Sequence, residues 1–313
     1  MNRTIIVPLE NAECLRSELN QKSLLDKNRK IRIIDTHNNG RCMEIPVLDD
    51  VAGYRMTEQA NPKYYQRYQS LRERLKDSIS DHELCYVPSG WQIIGDIIVV
   101  SIPEKISSRG HLIADTLLEI YPRCRCVVRD LGISGQFREP VRELLVGSDM
   151  ETVQKEHGCL FKMDVTKIMY SKGNLAERKR MSEFGKDEVV VDMFAGIGYF
   201  SIPMAVHSAP RKIISIEINP LSHQYLCENI ELNHVGKIIE PVNGDCACIT
   251  PAEIADRVIM GYVGTTHEYL AQGIGAIKKE GGMLHYHETT PEELVFARPI
   301  ERIRMAAAKL GRE

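Results

Sequence analysis

Bulk charge is the first thing this 313-residue sequence lacks: 40 Lys and Arg against 43 Asp and Glu leave a net −3. That balance excludes a protein that binds polyanions through overall charge, so any nucleic-acid contact has to come from local clusters. A run of about 18 apolar residues is also missing, so no segment reads as a membrane span. The start, Met1-Asn2-Arg3 followed by Thr4-Ile5-Ile6-Val7-Pro8, is too short for a signal peptide and reads as a strand. The nine cysteines are an odd number. Cys124-x-Cys126 and Cys246-x-Cys248 lack the two-to-four-residue gap of a structural zinc pair. Reduced thiols in a cytoplasmic protein, with no metal centre, are the expectation.

What is present is organised around Val189-Val190-Val191-Asp192-Met193-Phe194-Ala195-Gly196-Ile197-Gly198-Tyr199-Phe200. The β-branched run predicts a buried strand, and the small residues after it open a helix. Glycine there permits a sharp turn and close approach of a ligand to the backbone. Such a strand–loop–helix starts a doubly wound sheet, whose ligands sit at the carboxyl ends of the strands. The third glycine of the dinucleotide fingerprint is absent, its place taken by Ser201. Asp192 precedes the glycines, where it would repel a pyrophosphate but suit an ammonium group or hydroxyls. The next strand, Ile213-Ile214-Ser215-Ile216, ends in Glu217, an acid about 20 residues on, as suits two ribose hydroxyls. A third acid, Asp245 in Asn243-Gly244-Asp245-Cys246, falls where an adenine amine is expected. Each acid alone could be a turn or cap residue; three at successive strand ends are far more specific.

The preceding chain reads as smaller pieces. Residues 1–50 predict an α+β module with a helix from Asn11 to Leu25 and strands at 31–35 and 42–47. Asn38-Asn39-Gly40-Arg41 is a hairpin turn signal. Residues 51–84 read as a helical linker whose Tyr64-Tyr65-Gln66-Arg67-Tyr68 run could stack on RNA or simply face solvent. Residues 85–162 predict an α+β accessory domain. It holds a buried strand after Trp91, a helix over 110–120, a loop at Gly132 to Pro140, and a strand over 159–162. Lys155, His157 and Lys162 are candidates for phosphate contact or plain surface charge. Residues 163–313 form the Rossmann-like domain, where Ser171 or Asn174 could cap the helix that follows.

On these motifs, residues from about 161 to 288 resemble a class I S-adenosylmethionine-dependent transferase. They are most similar to archaeal tRNA enzymes acting on the purine 3′ of the anticodon. The Gly-Asp strand, the Gly-x-Phe-Arg loop and the Glu-x-Gly turn resemble those enzymes' accessory domain. The resemblance implies a mostly parallel Rossmann-like sheet. It implies S-adenosylmethionine held by Ser171, Arg178, Asp192, Phe194, Ala195, Gly196, Gly198, Glu217, Asp245 and Cys246. Arg178 would take the cofactor carboxylate through its planar fork; the alternative is an ion pair with Glu177 or a neighbour.

The fourth strand discriminates among these enzymes. Amino- and ring-nitrogen methyltransferases end it in Asn or Asp followed by two prolines, whereas this chain has Met260-Gly261-Tyr262-Val263. Ser171-Lys172-Gly173-Asn174 also stands where the N1-methyltransferases have Ser-Pro-Arg. With Thr266-His267-Glu268 and His285-Tyr286-His287, the pattern is similar to the tRNA wybutosine-synthesising aminocarboxypropyltransferases. That resemblance implies transfer of the 3-amino-3-carboxypropyl group to carbon 7 of 4-demethylwyosine in the anticodon loop of tRNA(Phe), by a monomer. His285 or His287 would be the base at the cleft mouth, or a structural strand residue; His267 is equally open. The alternatives are a tRNA guanine-37 N1-methyltransferase and a non-catalytic tRNA- or cofactor-binding protein. After the helix over 301–310 the class adds a closing hairpin that is not in this sequence, which predicts an open edge on strand five.

Overall fold

The computed structural model describes residues 2–36, 40–65, 69–135, 139–262 and 264–312, apart from the side chain of Lys172. The chain divides into two compact units, Met1–Ser70 and Leu71–Glu313.

In the first unit β1 (Arg3–Pro8), α1 (Leu9–Gln21), β2 (Arg32–Thr36), β3 (Gly40–Pro46) and β4 (Met56–Glu58) form an antiparallel sheet, order β2-β3-β1-β4, with one helix. Ile5 and Val7 alternate along β1, and Ala12, Leu15 and Leu19 recur at helical spacing along α1, so the two stripes meet in one core. The module was expected to end near Asp50, but it runs further. β3 covers one edge of β1, and β4 pairs with the other. Gln59 is buried behind β4 and donates to Glu44 (3.1 Å). The hairpin-turn residues Asn38 and Asn39, and Gln66, Arg67 and Tyr68 of the tyrosine run, lie outside the described residues.

The expected linker helix over 51–84 is not one element. Its second half forms two short helices of the second unit, α2 (Leu71–Leu75) and α3 (Asp81–Leu84). Leu71, Leu75 and Ile79 are buried in a hydrophobic cluster there, and that burial fixes the segment despite its charged composition.

The accessory sheet of β5 (Gln92–Ile94), β6 (Ile97–Val100), β7 (Cys126–Ser134) and β8 (Glu139–Val146) has the order β5-β6-β7-β8, and α4 (Gly110–Ile120) packs on one face. The loop expected at Gly132–Pro140 is mostly strand, since β7 and β8 pair out to Ser134 and Glu139; Phe137 and Arg138 lie outside the described residues. β6 is buried on both faces. Ile98 and Val100 point to α4, while Ile97 and Val99 point to a second core. That second core also takes in Phe161 and Met163 from the hairpin β9 (Glu151–Glu156)–β10 (Cys159–Asp164), and Val190, Ile213 and Ile259 from the large sheet. The accessory sheet and the Rossmann-like part therefore share one continuous interior.

The large sheet comprises β11 (Val189–Asp192), β12 (Lys212–Glu217), β13 (Ile239–Asn243), β14 (Arg257–Met260) and β15 (Met283–Tyr286). All its pairings are parallel, in the order β13-β12-β11-β14-β15. The helices are α5 (Leu175–Met181), α6 (Ser201–His207), α7 (Pro220–Leu232), α8 (Cys246–Ile249), α9 (Leu270–Ala276) and α10 (Ala297–Lys309). β15 lies at the sheet edge.

Two asparagines join α7 to the hairpin. The Asn229 amide accepts from Lys162 N (2.7 Å) and donates to the Lys162 carbonyl (3.2 Å). Asn233, one helical turn on, does the same with Leu160 N (2.8 Å) and the Leu160 carbonyl (2.7 Å). Each side chain thus pairs with β10 as a neighbouring strand would. Asn229 is fully buried and also donates to the Ile197 carbonyl (3.2 Å). Asn229→Ala leaves these backbone groups without partners, at about 1–3 kcal/mol for each one that stays dry. The variant is expected to lose about 2–4 kcal/mol in urea unfolding; a loss under about 0.5 kcal/mol contradicts this role.

Candidate active site

The carboxyl ends of β11, β12 and β13 bring Asp192, Glu217 and Asp245 to one end of the sheet, and the loop after β11 folds over it. Gly196 and Gly198 have φ of +57° and +100°. A Cβ at Gly198 would lie 2.4 Å from Ile202 Cδ1, so only glycine fits the turn into α6.

Glu217 holds this loop. Its Oε2 accepts from Gly196 N and its Oε1 from Asn219 N, both at 2.8 Å. Burial pushes its carboxyl up from the usual range. A carboxylate has about four acceptor positions, so capacity remains for a ribose hydroxyl beyond the Gly196, Asn219 and Ile218 N–H groups. Asp245 caps α8, accepting from Ala247 N (2.9 Å) through one oxygen, which leaves the other for an amine donor. The Cys246 thiol is buried and pushed up to about 12, chiefly by desolvation; it contributes shape, not charge.

Asp192 differs from the expectation of a ligand-facing acid. It is fully buried, and Ser201 Oγ donates to its Oδ2 (2.6 Å), with Ser215 Oγ donating to Ser201 in turn (2.8 Å). Desolvation pushes its carboxyl up to about 6. It organises the floor beneath the loop. Ala195 is likewise buried, its N–H given to the Ile216 carbonyl (2.9 Å).

Arg178 is buried too, and its fork is already engaged. Nη1 donates to Glu156 Oε2 (2.8 Å), and Nη2 to the Ser171 carbonyl (2.7 Å). Its guanidinium lies 4.9 Å from the Tyr170 ring centroid and 4.4 Å from that of Tyr199. The ion-pair alternative describes this arginine, with Glu156 rather than Glu177 as the partner. The Ser171 hydroxyl accepts from Gly173 N (3.3 Å), and neither Ser171 nor Asn174 caps α5 through its side chain.

The two histidines separate. His285 sits within β15, its Nε2 hydrogen-bonded to Arg257 and its ring 5.6 Å from Phe184. Burial, with Arg257 next, lowers it to about 4. Arg257 is itself paired with Glu188 (2.6 Å) at the start of β14, so His285 belongs to the framework and is not free to accept a substrate proton. His287 lies just beyond β15, where its N–H joins the Met260 carbonyl (3.1 Å). Its ring stacks on Phe200 at 5.5 Å, and its Nε2 meets Glu177 Oε1 at 2.8 Å. Its Nδ1 is 3.3 Å from the Met260 carbonyl. Hydrogen bonds from Arg180, with His287 contributing, hold Glu177 down at about 2. His267 Nδ1 is buried without a partner among the described residues.

Two groups escaped the sequence reading. The Glu177–His287 pair spans 110 residues, and no local spacing signals it. The aromatic cluster of Phe194 with Tyr262 (5.4 Å, stacked) and Tyr269 (5.3 Å, edge-on) lines the ends of β11 and β14. Within Met260-Gly261-Tyr262, a Cβ at Gly261 would lie 2.6 Å from Phe200, so glycine lets that ring pack beneath His287.

A family model described as the TRM5/TYW2 methyltransferase domain matches residues 152–313. The chain belongs to this family. Models of the TYW2 N-terminal domain and the tRNA methyltransferase 5 N-terminal domain match residues 71–150 and 4–55. The tRNA(Phe) (4-demethylwyosine(37)-C(7)) aminocarboxypropyltransferase of Methanocaldococcus jannaschii is 45% identical over 71% of this chain and 86% of its own. The enzyme of the same name from Pyrococcus horikoshii is 39% identical over 77% of this chain and 86% of its own. The crystal structure of P. horikoshii TYW2 in complex with MeSAdo matches with TM-score 0.68, at 37% identity over 77% of this chain and 87% of that one. Trm5b from Pyrococcus abyssi matches with TM-score 0.73, at 31% identity over 99% of this chain and 91% of that one.

The Asp192 carboxyl gives a pH test. Its folded value, about 6, is raised above the ordinary 3.8, so its contribution is fully present below about pH 4 and is lost as pH rises through 6. Two units correspond to about 2–3 kcal/mol. Asp192→Asn is expected to remove that decline between pH 4 and 7, read as the difference between variant and wild-type unfolding curves. Parallel curves would contradict a buried, titrating Asp192.

Proposed function

We propose that this chain transfers the 3-amino-3-carboxypropyl group of S-adenosylmethionine to carbon 7 of 4-demethylwyosine at position 37 of tRNA(Phe). The observation that carries the reading is the end of β14. Met260-Gly261-Tyr262 offers no side-chain amide or carboxylate to accept a hydrogen bond from a ring nitrogen, and its tyrosine stacks instead on Phe194. Two relatives bearing this activity in their names, at 45% and 39% identity, support it.

The chemistry follows from positioning. S-adenosylmethionine supplies an electrophilic carbon beside its sulfonium, and the carbon that moves is the one aligned with the nucleophile. Glu217 takes a ribose hydroxyl with its spare acceptor capacity, Asp245 the adenine amine, and Gly196 and Gly198 allow close approach. Phe194, Tyr262 and Tyr269 give an apolar wall near the adenine side. His287 keeps its Nε2–H on Glu177 (2.8 Å), and its Nδ1 takes the proton that carbon 7 sheds on turning from the longer Met260 carbonyl contact (3.3 Å), so that the Glu177 carboxylate faces the imidazolium. Arg178 acts through the fold, holding α5 and with it Glu177. We assign tRNA(Phe) contact to the anticodon loop, and infer a cytoplasmic monomer.

One observation favours a second reading. The relatives named as aminocarboxypropyltransferases cover 71% and 77% of the chain, whereas a tRNA (guanine(37)-N(1))-methyltransferase relative covers 99% of it at 33% identity. Double labelling decides between them. With tRNA carrying the tricyclic precursor, carboxyl-labelled S-adenosylmethionine is expected to label the tRNA and release methylthioadenosine. Methyl label entering tRNA would replace this reading with the methyltransferase. His287→Ala is expected to lower kcat at least about 100-fold, within the range for one acid–base group, with cofactor affinity little changed; an unaltered kcat removes His287 from the reaction.

A further inference from the structure

The one tryptophan of the chain, Trp91, lines an open cleft of about 1000 Å³ where β5 meets the β9–β10 hairpin; none of the candidate cofactor residues borders it. Trp91 and Tyr121 form one wall, their rings edge-to-face at 5.8 Å and 74°. Arg123, Arg125 and Lys155 bring three cations to the cleft, and Asp96 and Glu151 two acids.

The charges are not equally free. Arg125 is fixed by Asp96 (2.7 Å) and by the carbonyls of Asp149 (2.8 Å) and Glu151 (2.5 Å). Its charge is answered by Asp96 and, at 3.6 Å, by the Asp149 carboxylate. The Glu151 carboxylate accepts from Tyr225 (2.7 Å) and faces Lys162 (3.5 Å). Lys162 also pairs with Glu228 (2.8 Å), so it is not a free phosphate contact. Arg123 and Lys155 are exposed, and neither forms an ion pair among the described residues. The fixed network beside the cleft sets two cations against four carboxylates, and Arg123 and Lys155 are the lining cations outside it, beside an aromatic wall.

We propose that this cleft binds a segment of the tRNA chain outside the modified nucleotide, with a base against Trp91 and flanking phosphates on Arg123 and Lys155. An aromatic face suits any unpaired base, and exposed cations lining the same cleft suit the backbone that leads into and out of it. The cleft is open and large for one mononucleotide, so a continuous strand fits it better than a free ligand. With the whole protein near neutral, polyanion contact has to use individual cations outside ion pairs, as Arg123 and Lys155 are among the described residues. The hairpin also connects the cleft to the site: Thr152 and Gln154 line it, and Glu156 at the end of the same strand pairs with Arg178. This inference rests on the reading of tRNA as substrate.

Trp91 reports on its own cleft. Titrating the full chain with precursor-bearing tRNA(Phe) is expected to quench its emission, while S-adenosylmethionine leaves it unchanged. Arg123→Ala/Lys155→Ala is expected to raise the Kd for tRNA about 10- to 100-fold and to lower the salt slope by about 1.5, as two lost phosphate contacts require. Melting temperature and S-adenosylmethionine affinity stay at the wild-type values. Trp91→Phe should retain more affinity than Trp91→Ala. Wild-type binding with unquenched emission, together with a double-variant Kd within twofold, overturns the cleft while leaving the proposed reaction standing. Quenching by adenosine monophosphate or inorganic phosphate as strong as by tRNA overturns the RNA-strand assignment. No binding of tRNA by the wild-type chain overturns both.

Discussion

A buried ion pair between Glu156 and Arg178 is the constraint from which the site is hung. It joins the last residue of β9 to the middle of α5, with the guanidinium against the rings of Tyr170 and Tyr199. Charges so far from water gain little net stability, yet losing one partner strands the other, at about 3–5 kcal/mol. The benefit is geometric. Glu177 precedes Arg178 on α5, and by reaching His287 it ties the helix to the end of β15. Hairpin, helix and sheet edge are thus held in one register by two carboxylates on different elements.

The glycine loop depends on a comparable economy. Glu217 offers both oxygens to backbone N–H groups and still keeps acceptor capacity for a ligand. Asp192 gives its capacity to Ser201 and to the interior. Both are acids at strand ends; a neighbouring serine on α6 sends one inward, and the Gly196 N–H keeps the other at the cleft. A shared acidic position in a βα unit therefore does not imply a shared task.

Much of this was legible in the sequence. The Val189–Asp192 run, the paired glycines and the acids after β12 and β13 are local patterns, and the sheet follows from them. The Met260-Gly261-Tyr262 departure was also legible, because a motif's absence can be read from one segment. Arg178 was placed on the right helix, but its partner comes from a different hairpin, which no spacing could show. His285 and His287 are two residues apart and chemically alike in sequence. One ends within the strand against Arg257, the other beyond it against Glu177. The linker was misjudged because Leu71, Leu75 and Ile79 are diluted by charged neighbours that face solvent.

Asn229 and Asn233 occupy the backbone groups of Leu160 and Lys162 on the side of β10 away from β9. A free strand edge is a template on which another chain can lay itself down. Here two helical side chains act as a false strand and close that template with no strand behind it to extend. The hairpin can thus carry its exposed polar face into a crowded cell without recruiting a second hairpin along this edge, and the protection comes from a helix that the sheet needs in any case.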